Sequence, residues 1–590
     1  MTELFIDGHP VILPKDFNIK IIYENPIIRK NGAYTYDLIL SLLNPTNSKI
    51  YKHLDRINNN VQIESRSAVL VSDNIVFLNG TEIILEHTDT DVKIQLVSGN
   101  SELNFFVGSD KRIRDLDLGT IDINVDKARQ SLFGDYRQFK YCCPPILWGE
   151  DGDVNGRANY WYLTQNMETA GLNPSYGVIA QPYLMYYIEE IPKALGYKID
   201  FNVLLKNDLF CKIYVPNPLD SLKYCDLLPD WTVLEFIEEI ERFFNVVFIV
   251  NQRDKTVSIY HPYDYFLNAD KIYMPSKDIL DSYNCSSEDN DELYFTVKNN
   301  FRYAFPNNNY FKRMSIPEEI FQMAYLIEYD TLQELYEDLK ANELEFKSKY
   351  FQTMAVFYAK NVDSHYILKE SFDLIQPIMV LVPINIFRDA NNGVENTVEF
   401  KITPAKIHPA VFGNAGFPYV SVSAPPEELD DNTNFDDLIL DGLPDTDKSS
   451  KAENIEIAIY YGVYSQERIT GFKRWEEDLM YPWVFTDYLP PVDFDNPYHF
   501  PEFYFIEKRD NDNFTLRLTG KHSILNETHP RVKNLNISES WYFKFLFKNI
   551  LNVRNIFNIQ YKKFICQQLE YDITAQGISP IVGGKFYSYD

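Results

Sequence analysis

Positive charge is scarce in this 590-residue chain: 56 lysines and arginines stand against 85 aspartates and glutamates, a formal net charge of −29. Such an acidic surface repels phosphate backbones and anionic headgroups, which excludes sequence-independent nucleic-acid binding and electrostatic adhesion to membranes. Long apolar runs are missing as well. The best, Ile378–Ile384, is interrupted by Pro383 and falls far short of a span, so no membrane insertion is expected. Residues 1–8 carry neither a basic n-region nor an apolar h-region, so the expectation is a soluble chain made in the cytoplasm without a secretory signal. Cysteine is too dilute for a disulfide scaffold. Cys142, Cys143, Cys211, Cys225, Cys285 and Cys566 lack metal-finger spacing and are expected to be free, buried thiols.

Chemistry-bearing motifs are equally short. No two of the nine histidines share a helical face at i, i+4; His522 and His529 are the closest pair. No His-Glu-x-x-His, Gly-x-Ser-x-Gly, phosphate-loop or dinucleotide fingerprint occurs. No catalytic residue, cofactor-binding residue, metal ligand or cofactor is therefore assigned. Three clusters come nearest. Asp151, Asp153 and Asn155 with Gly156 match the first half of a calcium loop, but position 12 is Tyr162, where a bidentate glutamate is needed. An Asp/Asn/Gly surface turn gives the same letters for backbone reasons alone. The pairs Glu238–Glu239 and Glu476–Glu477 could be glycosidase carboxylates, against the commoner reading of charges on a solvated helix face. Trp475, Tyr481, Trp483, Phe485 and Tyr488 could stack sugars; with Pro482, Pro490 and Pro491 interleaved they read rather as a packed loop at a domain edge or subunit interface.

What is present is material for building. The apolar fraction of 45% supports real cores, and the length suggests roughly three to five domains. The 42 tyrosines and 41 phenylalanines suit extended sheets and wet interfaces, or reflect AT-rich codon usage. The clearest unit runs from Trp231 to Tyr260. Thr232 and Glu235 make a capping box, Val233, Ile237, Ile240 and Phe244 form one helical face, and Asn245 stops the helix. Two short strands, 246–250 and 256–260, follow around a polar turn.

Residues 1–125 read as nearly all β, beginning with a hairpin turned at Asp7-Gly8. A strand alternates through Leu38, Leu40 and Leu42, a short helix spans about 45–56, and strands at 67–77, 81–87 and 92–98 are broken at Asn79-Gly80 and Gly99. Residues 126–300 mix helix and strand. A helix is expected from Gln181-Pro182 to Gly196, with Pro192 kinking or stopping it, followed by a strand at 197–203 that echoes the 232–250 order. Residues 301–415 carry a helix capped by Thr331-x-x-Glu334, then strands. Residues 416–454 form an acidic linker, with nine acidic residues and no basic one between Glu427 and Asp447. Residues 455–590 are strand-rich, with strands at 514–518, 541–547 and 563–571 and a turn at Gly583-Gly584. The fold class is thus α+β, mostly β: several barrel- or sandwich-like domains with short packed helices.

Several passages resemble the large tail or baseplate proteins of phages and prophages of Bacteroides and its relatives. They are Leu4–Gly8, Tyr34–Leu40, Asn44–Asn47 with Lys49–Tyr51, Asp115–Leu118, Trp231–Phe236 through Val257–Tyr260, Phe557–Cys566, Gln568–Glu570 and Gly583–Tyr587. The middle passage is similar to the helix-plus-hairpin element of tail-hub proteins. The resemblance implies a non-catalytic virion protein, assembled in the bacterial cytoplasm. It also implies a ring, a homotrimer in the hub family, that joins the tail tube to the tip or spike and touches tape-measure protein. Two other readings remain: a tail-tip hydrolase acting on cell wall or glycan, and a receptor- or carbohydrate-binding tail protein.

Overall fold

The computed structural model describes residues 1–28, 32–58, 66–100, 111–148, 157–159, 161–162, 171–172, 177–218, 221–251, 254–267, 269–287, 300–304, 325–341, 355–360, 364–373, 376–384, 389–391, 397–412, 415–422, 454–466, 479–485, 492–493, 515–519, 523–529, 535–547 and 550–589. The architecture is mostly β with short helices, as the alternating patterns require, and among the described residues no sheet closes into a barrel.

The largest sheet has 14 strands and draws on both ends of the sequence. Its order is His9–Val11, Thr2–Ile6, Arg66–Ser72, Ile75–His87, Asp91–Ser98, Ala33–Thr35, Asn18–Glu24, Lys562–Thr574, Gly577–Tyr589, Leu535–Leu546 and Ile279–Ser287, with three short strands alongside. The seam is Asn18–Glu24, which pairs antiparallel with Gln568–Thr574; Ile21 lies opposite Tyr571 and Ile19 opposite Ile573. One face of the sheet buries a core running from Leu4, Ile6, Ile21, Leu40 and Leu70 to Phe545, Leu569 and Phe586.

Local chemistry explains the turns. Asp7 and Gly8 both have positive φ (48° and 76°), as a tight two-residue hairpin demands. Asp73 (51°) and Asn74 (63°) make a second such turn that the sequence reading placed inside one strand. Conversely, two expected breaks lie within strands. Ile75–His87 runs straight through Gly80, and Gly577–Tyr589 straight through Gly583-Gly584. A Cβ on Gly80 would meet the Val97 carbonyl oxygen at 2.0 Å, and one on Gly583 the Tyr542 hydroxyl at 2.5 Å. These glycines grant clearance to a neighbouring strand and to an aromatic ring. The helix expected over 45–56 ends at Ile50, because Lys52 and His53 take positive φ. Likewise Gln181–Pro182 is a short strand, and the helix runs from Leu184 to Ala194 with Pro192 in its last turn.

The second core is built on the Trp231–Tyr260 unit. Thr232 accepts from the Glu235 amide, and the Glu235 carboxylate accepts from the Thr232 amide. Asn245 (φ 48°) ends the Val233–Phe244 helix in the left-handed region. Val247–Asn251 and Thr256–Tyr260 form the hairpin, and Lys198–Asn202 adds to it in parallel. Of the echo seen in sequence, strand 198–202 thus extends the hairpin's sheet and helix 184–194 packs beside helix 233–244. Around them packs a core that includes Tyr187, Ile191, Phe236, Ile240, Phe243, Phe400 and Ile457.

Inside the large sheet's flank lies a buried ion pair. Arg66 donates through Nε (2.8 Å) and Nη2 (2.5 Å) to Glu82 Oε2, and through Nη1 to the Ile50 carbonyl at 2.8 Å. Tyr51 hydrogen-bonds the other carboxylate oxygen while its ring stacks under the guanidinium at 4.5 Å. Burial still pushes the Glu82 carboxyl pKa up, against the pull of Arg66. An Arg66→Met substitution strands this carboxylate, and the expected loss in urea denaturation is about 3–5 kcal/mol. The double variant Arg66→Met/Glu82→Met should recover most of it.

Candidate functional site: the joint between the two cores

What the described side chains are organised to do is join the 14-stranded sheet to the helix-and-hairpin core. The first bolt is Asn100. Its amide donates to the Phe248 carbonyl (2.5 Å) and accepts from the Val250 amide (3.0 Å), so it imitates a strand along the edge of Val247–Asn251. Both partners are backbone groups removed from water, where an unmade hydrogen bond is expensive. Glu241 on the helix accepts from the Phe248 amide (3.0 Å), tying helix, hairpin and Asn100 together.

The second bolt is apolar. Ile27 and Ile28 from the loop after Asn18–Glu24 pack with Val247, Tyr265, Phe266, Ile565 and Tyr587. That cluster spans the N-terminal segment, the hairpin and the closing strands. Arg554 lies over the Tyr265 and Tyr260 rings at 4.8 and 5.7 Å and donates to the Tyr265 carbonyl at 2.7 Å. Asn25, wholly buried, donates to the carbonyls of Cys566 (2.9 Å) and Val553 (3.3 Å). The segment after Lys111 is fastened within the helix core itself. The Ile113 amide donates to the Trp231 carbonyl (3.0 Å), the Val233 amide to the Lys111 carbonyl (2.9 Å), and Arg112 pairs with Asp230. One first-turn donor of the central helix thereby finds an acceptor outside the helix.

The residues singled out from the sequence fare differently. Residues 151–156, Trp475, Glu476–Glu477, Tyr488, Pro490, Pro491, His522 and the acidic stretch 427–447 lie outside the described residues. Tyr162 sits on a two-residue strand, and Tyr481, Pro482, Trp483 and Phe485 on strand Leu479–Phe485, paired with Ile455–Gln466. Glu239 corrects the reading of a solvated pair. It is 4% exposed, bonded to Arg242 and to the Lys401 amide (3.1 Å), because the helix is covered on that side by residues 397–404. Burial raises its pKa, with Arg242 pulling the other way. The six cysteines form no disulfide and five are buried, but Cys285 is exposed on the outermost strand of the large sheet. The segment expected as strand 514–518 has no ladder over its described residues, although Leu516 and Leu518 are buried.

Glu456 is another ionisable group that the spacing did not single out. Burial lifts its carboxyl pKa to about 7, beside Thr403 on the neighbouring strand. Among the described residues no group of three or more His, Cys, Asp or Glu side chains is placed to hold a metal ion. The sequence missed Asn100 because its partners, Phe248 and Val250, lie 148 and 150 residues away along the chain. Asn100→Ala, which leaves two backbone groups unmet, should lower stability by about 1–3 kcal/mol by chemical denaturation. It should also raise amide exchange along 247–251 while leaving 582–589 unchanged.

No family model matches the chain, and no curated protein matches it. Among solved structures it is similar to the prophage MuSo2 43 kDa tail protein from Shewanella oneidensis, at 7% identity and a TM-score of 0.31, covering 99% of this chain and 97% of that one. It is also similar to the tail protein from Neisseria meningitidis MC58, at 5% identity and a TM-score of 0.27, covering 100% of this chain and 96% of that one.

Proposed function

We propose that the chain is a non-catalytic structural component of a phage or phage-like tail: a hub or baseplate ring that joins the tail tube to the tip or spike. In this reading it assembles with itself, as a homotrimer, and contacts tube, tape-measure and spike proteins. The five segments bounded at 125, 300, 415 and 454 are its successive parts, with the first and last sharing one sheet.

The observation that carries the reading is where the family-like passages lie. Leu4–Gly8, Trp231–Tyr260 and Phe557–Tyr587 are distant in sequence, yet the first and last belong to one sheet and the middle one is bolted to it. A joint built from buried amides, an aromatic-capped arginine and apolar packing resists relative movement of its halves. That suits a part which transmits load and performs no bond chemistry. Mass photometry of the purified chain should show a ring species at three times the chain mass. A strict monomer at every concentration and ionic strength would remove the hub reading.

A further inference from the structure

Two short pieces, 515–519 and 523–529, plug the helix core without joining a sheet. Leu516, Leu518 and Ile524 are buried in that core, and Leu525 packs against it. The Tyr303 hydroxyl donates to the Leu516 carbonyl, and the Ile524 amide to the Arg517 carbonyl at 2.8 Å. Ser523 caps the helix Ile524–Thr528. His529 closes the plug, its ring 5.1 Å from Phe301 and 6.1 Å from Phe400.

The hydrogen bonds fix its tautomer. The Thr528 hydroxyl spends its proton on the Ile524 carbonyl (2.6 Å), so at 2.7 Å it accepts from His529 Nδ1–H. Nε2 is then the bare nitrogen, and it is buried with no hydrogen-bond partner among the described residues. An added proton would land on Nε2, in a mostly apolar slot where the Arg242 backbone, which favours the charged ring, offsets only part of the cost of burial. Nearby carboxylates are committed. On the central helix Glu239 serves Arg242 and the Lys401 amide. On the strands carrying Phe301 and Phe400, Glu399 pairs with Arg302, the cation that also faces Asp389. His261 donates from Nδ1 to the Asn245 carbonyl (3.0 Å) and is itself held neutral by burial, with Asp264 and Lys206 as its charged neighbours. Glu527 is exposed on the plug's own helix, and Lys401 is exposed at the end of the Phe400 strand.

We propose that the pieces 515–519 and 523–529 form an acid-released latch on the helix core, triggered by protonation of His529 Nε2. The linkage has one sign. Burial drives the docked imidazole pKa down to about 3, while the released one returns to 6.5. The released state thus binds more protons. Docking is fully favoured above pH 6.5 and weakens as pH falls from there towards 3.

Hydrogen–deuterium exchange with mass spectrometry on the full chain tests this. Between pH 7.5 and 5.0, protection of amides in 516–518 and 524–529, corrected for intrinsic exchange, should fall about 30-fold, while protection of 582–589 holds. In His529→Phe, which fills the aromatic slot, and in His529→Gln, the difference should vanish. Equal loss in both regions of the wild-type protein overturns the proposal, as does an undiminished 30-fold change in either variant. If neither variant folds, the wild-type comparison decides.

Discussion

The pairing of Asn18–Glu24 with Gln568–Thr574 is the contact on which the rest depends. Without it the N-terminal strands and the closing hairpin are two partial sheets, each with an open edge. With it they become one surface, and the halves of the core under that surface, Ile21 and Leu40 on one side and Leu569 and Phe586 on the other, are brought together. Ile27, Ile28, Ile565 and Tyr587 then form the apolar bolt to the hairpin. Closing a loop of some 550 residues costs only a few kcal/mol more than closing a short one, because the entropy grows with the logarithm of length. The ladder and its apolar face are sufficient to meet that cost.

Polar groups in this molecule act as fasteners. Asn100, Asn25 and Glu241 each bond backbone groups of another segment, and Arg66, Glu82 and Tyr51 satisfy one another. Such groups specify geometry, since each one is costly unless its partners sit in one arrangement. Apolar packing alone tolerates sliding. The combination explains how a chain rich in interchangeable Ile, Leu, Phe and Tyr can hold its two cores in a single relation.

Local structure was legible where a signal and its partner are close in sequence. Thr232, Glu235 and Asn245 announce a helix, and the structure has it from Val233 to Phe244. Asp7-Gly8 announces a turn, and it is there. Glycine misled where its role is tertiary: Gly80 and Gly583 look like turn residues, but what they accommodate is Val97 and Tyr542, which spacing cannot reveal. Asp73-Asn74 was lost inside an apolar run although both residues tolerate positive φ. The joint was illegible altogether. Nothing near Asn100 signals Phe248, and nothing near Glu239 signals Lys401; these meetings are properties of the assembled sheets.

The seam also fixes an order of events during synthesis. At elongation rates of about 5–20 residues per second, the strand Asn18–Glu24 leaves the ribosome about half a minute to two minutes before its partner exists. Throughout that interval Ile19, Ile21 and Ile22 sit on an exposed β edge, the kind of surface that recruits another nascent chain. Crowded polysomes would therefore favour strand exchange between neighbouring copies, and a holdase or slow, dilute expression would favour the correct closure.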